Sequence, residues 1–287
     1  MRLIIEPRVQ QIGFEVRRLL PSRHQQRVGP FIFFDHMGPA RFKPDTTEGD
    51  VRQHPHIGLA TVTYLFSGAM VHRDSLGVEQ VIEPGAINLM TAGSGIVHSE
   101  RIPDSVRRSG APVEGIQTWL ALPTVQEDCE PEFAHYDASD IPRVEGDGYC
   151  AHILIGTALG KTSPVTSASP TTYVDLQLDA GSSLSLDIPG HELAVYVCEG
   201  ELAIAKGDSQ DPVCTYQLAL LEPGDRLIAI SDVRLMVAGG EPITDERFIF
   251  WNFVASSKEK LHAASARWDA GEFTLVPGET DRIPLPR

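Results

Sequence analysis

The stretch HPHIGLATVTYLFSG, residues 54–68, decides how the rest of the chain is read. From Leu59 to Phe66 it is a short apolar run rich in β-branched and aromatic residues, closed by Gly68, which is the signature of a strand ending in a turn. His54 and His56 open that run. In a strand, residues i and i+2 point to the same face, so the two imidazoles project side by side. Pro55 between them has no N–H to donate, which suits a strand start or edge.

Working outward, runs of the same kind recur: FIFFD (31–35), AINLM (86–90), GIQTWLALP (115–123), AHILIG (151–156), YVDLQL (173–178), LAVYVCEG (193–200), VRLMVAGG (233–240) and RFIFWNFV (247–254). Glycine and proline punctuate them. Many short strands at close spacing predict an all-β chain built as an antiparallel sandwich or barrel. The halves echo each other. YLFSG (64–68) precedes EPG (83–85), and YVCEG (196–200) precedes EPGD (222–225). This repeat suggests a duplicated domain linked around residues 138–148, ASDIPRVEGDG, although β proteins also reuse such turns by chance. One helix is expected near the end. Ser256 and Glu259 form a capping-box pattern, Leu261, Ala264 and Trp268 follow near helical spacing, and Gly271 is a plausible stop. The prolines of GETDRIPLPR (278–287) forbid continuation, so the tail reads as an extended strap.

A second i, i+2 pair completes the first. MTAGSGIVHSE (90–100) ends in His98 and Glu100, again on a strand-like stretch. If the two strands come together, three imidazole nitrogens and one carboxylate oxygen converge. That donor set suits a first-row transition metal rather than the oxygen-dominated sites of calcium or magnesium. A lone histidine in a strand is more often structural than a ligand, and one HxH arises by chance. Two such pairs in one sequence carry more weight. His72, Arg73 and Asp74 read as a solvated turn or the mouth of a pocket, and Asp35 and His36 as a turn. In the second half His191 and Glu192 are isolated, so the metal belongs to the first half. No nucleophile elbow, P-loop or dinucleotide motif is present.

The 39 acidic and 24 basic side chains give a net charge of −15, which argues against direct nucleic-acid binding. The four cysteines, Cys129, Cys150, Cys198 and Cys214, form no CxxC pair. No apolar run reaches the roughly 20 residues of a membrane-spanning helix, and no signal-peptide core opens the chain. These features predict a cytoplasmic protein with free thiols and no membrane contact.

The combination GPFIFFDHMGPA (29–40), HPHIGLATVTYLFSG (54–68), HRDSLG (72–77) and PGAINLMTAGSGIVHSE (84–100) resembles the pirin family of the cupin superfamily. The likeness is dense over residues 28–122 and thinner afterwards. It implies a bicupin: two cupin-type antiparallel β-barrels with a short C-terminal helix. The expected domains are residues 1–137, a metal-binding barrel, and residues 148–287, a barrel without ligands that ends in the helix and tail. It implies one iron site, Fe2+ with Mn, Co, Ni or Cu as alternatives, held by His54, His56, His98 and Glu100. Ala60 stands where many cupins carry a glutamate, and Ile57 where many pirins carry arginine, which implies a less charged pocket mouth. The implied activity is that of a quercetin 2,3-dioxygenase acting on a flavonol-like aromatic substrate and dioxygen, with Glu100 as ligand or catalytic base. The same resemblance implies an alternative, an iron-dependent redox-sensing regulator that binds a protein partner without turnover.

Overall fold

The computed structural model describes residues 2–286. Strands account for 48% of the chain and helices for 7%, so the all-β expectation holds. The chain forms two compact units that interleave in sequence. One contains the segment up to Arg8, Arg17–Phe33 and Ser139–Pro242, and the other contains Val9–Val16, Phe34–Ala138 and everything from Ile243 onward.

In the histidine-bearing unit, the strands Glu132–Tyr136, Ile87–Thr91, Leu59–Ser67, Val113–Ala121 and Phe31–Ala40 lie side by side in that order. A second sheet has the order Val51–His56, Ile96–Arg101, Met70–Asp74, Glu79–Ile82. Apolar side chains from both sheets, including Met37, Leu65, Met70, Ile82 and Val113, bury one another in a common core. Period-2 patterning drives this arrangement: Met70–Asp74 alternates buried and half-buried residues, whereas the central strand Leu59–Ser67 is buried on nearly every residue.

The other unit repeats the plan. Its long sheet contains Glu192–Glu199, Val233–Gly240 and Thr171–Leu178 as adjacent strands, and its short sheet has the order Ser183–Leu184, Arg226–Ala229, Leu202–Lys206, Ser209–Val213. In both short sheets the first strand in sequence pairs with the last, followed by the second and third. The sequence echo is therefore a topological repeat. Gly68 and Gly200, which close the two matching segments, both have positive φ, 77° and 85°. A Cβ there would sit 2.7 Å from the Pro112 carbonyl oxygen and 2.2 Å from that of Asp232. In the second unit the strands matching the two histidine-bearing ones contribute Leu227 and Ala229 to the core, with Leu184 packed against it. Hydrocarbon occupies the place that imidazoles take in the first unit.

The C-terminal segment departs from the expected order. The helix Lys258–Asp269 and the tail were expected with the second barrel. Instead Leu261, Ala264, Trp268, Phe273 and Val276 bury against Ile57, Val97 and Phe253 of the histidine-bearing unit. The helix also starts one residue later than its capping pattern implies. Ser257, not Ser256, is the N-cap, and its side chain accepts from the Lys260 N–H. Ser256 is diverted: its N–H and hydroxyl donate to the Glu127 carboxylate at 2.8 and 2.6 Å. At the other end Gly271 (φ 73°) and Glu272 donate to the Trp268 and Arg267 carbonyls, a Schellman closure as the glycine implied. Ser257→Ala is expected to cost about 1 kcal/mol in urea unfolding through loss of the cap. An unchanged midpoint would return the capping role to Ser256. The four cysteines form no disulfide. Among the described residues no helix is long and apolar enough to cross a membrane.

Candidate metal centre

The two ligand-type strands are neighbours in the short sheet, and antiparallel pairing sets His98 directly opposite His54, with Ile96 opposite His56. Cross-strand partners share a face, so the i, i+2 spacing on one strand and the register between strands bring three imidazoles together. The His54–His98, His56–His98 and His54–His56 ring centroids are 4.4, 4.9 and 5.0 Å apart. One donor nitrogen from each lies within 4.8 Å of the other two, and all three residues are buried.

Outer hydrogen bonds decide which nitrogens are available. His54 Nδ1 is 2.8 Å from the Arg52 carbonyl oxygen, and His56 Nδ1 is 3.2 Å from that of Asn252. A carbonyl only accepts, so each Nδ1 carries the proton and each neutral ring keeps a lone pair on Nε2. His56 Nε2 faces His98 Nε2 at 3.1 Å. Two nitrogen lone pairs that close repel one another, and a cation between them relieves that repulsion. Burial favours the neutral form of these rings, the form able to ligate a metal. It lowers His54 to about 4, and together with the neighbouring histidines it lowers His56 and His98 well below the ordinary value. Three buried neutral imidazoles with convergent Nε2 atoms fit a first-row transition metal.

Glu100 is placed differently. The register shifts between His98 and Glu100, which puts Glu100 opposite Val51 and His72. Its carboxylate is outside the set of donors within 4.8 Å. Gln117 Nε2 donates to Glu100 Oε1 at 3.3 Å, and Gln117 Oε1 accepts from Thr63 at 2.7 Å, so the amide is held with its N–H toward the acid. Burial raises the Glu100 carboxyl to about 7.

Several other polar residues differ from expectation. His72 and Asp74 are not a solvated turn. They are buried on the strand Met70–Asp74, with His72 Nε2 2.9 Å from Asp74 Oδ2 and His72 Nδ1 3.3 Å from His98 Nδ1. Their H-R-D spacing is a third i, i+2 pair, the same signal that marks the other two. Asp35 and His36 are likewise buried in the strand Phe31–Ala40, where His36 Nε2 meets Glu114 Oε1 at 3.1 Å. Ile57 packs into the helix cluster. In the other unit His191 Nδ1 bonds Thr172 Oγ1 at 2.9 Å, and Glu192 accepts from the Gly29 N–H at 3.0 Å.

The family profile described as Pirin matches residues 13–120, and that of the pirin C-terminal cupin domain matches residues 173–274. This chain belongs to the pirin family. A pirin-like protein of Caulobacter vibrioides is 42% identical to it over 99% of both chains. A Pseudomonas aeruginosa relative, provisionally named a quercetin 2,3-dioxygenase, is 37% identical over 96% of this pirin and 84% of its own length. The crystal structure of a quercetin 2,3-dioxygenase from Acinetobacter baumannii superimposes with a TM-score of 0.90 at 32% identity, covering 100% of this pirin and 95% of that chain. The two units are thus cupin domains, and the histidine cluster lies in the N-terminal one of this pirin.

Proposed function

We propose that this pirin is a metal-dependent dioxygenase of quercetin-type flavonols. The observation that carries the reading is that one donor nitrogen from each of three buried imidazoles lies within 4.8 Å of the others, in a chain with relatives named as quercetin 2,3-dioxygenases. His54, His56 and His98 would hold the ion, with Fe2+ first and Mn, Co, Ni or Cu as alternatives, since this donor set does not select by affinity alone. Glu100 would serve as a fourth ligand or, swung aside, as a base. The bound metal supplies Lewis acidity toward the hydroxyl and ketone oxygens of a chelating flavonol.

The remaining steps belong to the chain. Glu100 takes the 3-hydroxyl proton of the substrate, and its raised carboxyl makes it a stronger base than a solvated glutamate. Gln117, bonded to Oε1, leaves Oε2 to receive that proton. Trp119, edge-on to His56 at 5.3 Å, and Phe133, stacked on His72 at 4.4 Å, place apolar rings against the imidazoles.

The test is metal analysis of the purified protein paired with oxygen uptake on quercetin. Metal-loaded protein that consumes no oxygen with flavonol would end this reading. Glu100→Gln is expected to lower turnover about 10²–10⁴-fold, the usual range for loss of a general base. If metal content and turnover both stay at parental levels, Glu100 is neither ligand nor base.

A further inference from the structure

We infer that His72 and Asp74 are positioning residues for the metal centre: they fix the proton of His98 on Nδ1 and so keep its Nε2 open to the ion. This rests on the reading of His54, His56 and His98 as ligands and adds two side chains to it.

The three candidate ligands are oriented in two ways. His54 and His56 donate their Nδ1–H to backbone carbonyls, of Arg52 and Asn252. His98 lies on the strand Ile96–Arg101, which pairs on both sides, with Val51–His56 and with Met70–Asp74. Its backbone surroundings are committed to those ladders, and its Nδ1 instead meets a side chain, His72 Nδ1, at 3.3 Å. His72 Nε2 in turn meets Asp74 Oδ2 at 2.9 Å. Asp74 closes the chain. It is fully buried, and its Oδ1 accepts from the Leu76 and Val78 N–H groups at 2.9 and 3.1 Å. That Asx-type turn in the segment DSLGV fixes the carboxylate in place.

The polarity of the chain follows from Asp74. A carboxylate oxygen accepts, so His72 carries its proton on Nε2. With that proton on Nε2, the other ring nitrogen, Nδ1, presents a lone pair toward His98. That lone pair needs a donor, and the His98 Nδ1–H supplies it. The only remaining lone pair of His98 is on Nε2, which faces the cluster. Phe133 stacks on His72 with an interplanar angle of 19°, which holds the ring in the plane the two bonds require. Ligand-bound histidines are commonly tuned by such outer partners, whose loss costs about 10–100-fold in metal affinity.

Asp74→Asn inverts this chain without changing its shape. The amide oxygen is retained by the two backbone N–H groups, so the amide Nδ2 faces His72. His72 must then accept at Nε2 and carry its proton on Nδ1, and His98 is driven to the Nε2–H form, which must give up that proton before Nε2 can take a metal.

The experiment has two arms on the full-length chain. Histidine-selective ¹⁵N spectra of the metal-free protein read the tautomers directly. The expected result is Nδ1–H for His98 and Nε2–H for His72, with both exchanged in Asp74→Asn. Chelator competition with Co2+ reads affinity. Asp74→Asn and His72→Phe are each expected to bind about 10–100-fold more weakly, and Asp74→Asn is expected to add nothing in a His72→Phe background. His98 protonated at Nε2 in the parent, or parental Co2+ affinity in both single variants, overturns the proposal. Should Asp74→Asn fail to fold, His72→Phe carries the affinity arm alone. A parent chain that binds no Co2+ would sink the ligand reading itself, while the tautomers of the metal-free chain still decide the positioning role. Absence of flavonol turnover bears on neither arm.

Discussion

His98→Ala yields a folded protein that no longer holds a first-row metal ion. His98 is the hinge of the cluster: it lies opposite His54 across the ladder, and its Nε2 is 3.1 Å from that of His56. Removing it leaves two nitrogens on one strand. The expected loss of Co2+ or Fe2+ affinity exceeds the roughly 100-fold upper range of outer-partner losses, because a donor atom is gone and not merely misdirected. The fold should survive. The strand Ile96–Arg101 keeps its backbone ladders on both sides, and the lost side chain is a buried, electrostatically strained imidazole that contributes little hydrophobic stabilisation. Metal content after purification and chelator competition provide the measurement, with circular dichroism to certify the fold. A folded variant that retains stoichiometric metal would exclude His98 as a ligand.

The metal-free protein is expected to lose stability steeply in mild acid. The folded chain holds His54 at about 4 and His56 and His98 well below the ordinary value, while the unfolded chain protonates all three near pH 6.5. For a histidine whose folded pKa is depressed, the unfolded state binds more protons between the two values. Stability is therefore complete above pH 6.5 and falls as the pH drops toward 4. His54 alone corresponds to about 3 kcal/mol at most, from a shift of roughly two and a half units at 1.36 kcal/mol each. Glu100 opposes this trend. Its folded pKa is raised to about 7, so its contribution is present at low pH and lost as the pH rises. Three groups pull one way and one the other, so the net effect is acid destabilisation. Urea midpoints of the metal-free chain between pH 7.5 and 4.5 measure it. His54→Asn should flatten the curve by one proton, and Glu100→Gln should steepen it by one. Superimposable pH profiles for the parent and His54→Asn would refute the account. Metal bound to the folded state alone should raise the neutral-pH midpoint by mass action.

The sequence makes the site legible wherever spacing alone determines geometry. HPH and HSE each put two side chains on one face, and the ladder between those strands needs no further information once both are recognised as strands. Legibility fails where charge is mistaken for exposure. HRD carries three polar residues before a glycine turn and so resembles a solvated loop, yet its first and third residues are buried beside the histidines while Arg73 points out toward Glu79. The same confusion hides Asp35 and His36 inside a strand. Glu100 shows another limit: i, i+2 periodicity assumes an undisturbed ladder, and a register shift between His98 and Glu100 sets the carboxylate apart. The helix cap was ambiguous because Ser256 and Ser257 are adjacent. Only the distant Glu127, which claims Ser256, settles which one caps. The placement of the C-terminal helix depends on the fit of Trp268 and Phe273 against Ile57, a match no local pattern encodes.

The strand Val51–His56 would be the open edge of its sheet if the C-terminal segment did not close it. The Val254 N–H donates to the Ile57 carbonyl at 3.2 Å, the Ile283 N–H to that of Gln53 at 3.0 Å, and the Val276 N–H to the Gln53 side chain at 3.1 Å. This arrangement sets a schedule. On the ribosome His54 and His56 emerge early, but the residues that seal their strand are made roughly 200 positions later, which at about 5–20 residues per second is on the order of 10–40 s. For that interval a nascent chain carries a bare strand edge beside two candidate ligand imidazoles, open to pairing with a neighbouring chain. The histidine-bearing edge can therefore be completed only after the segment up to Ile283 has been made.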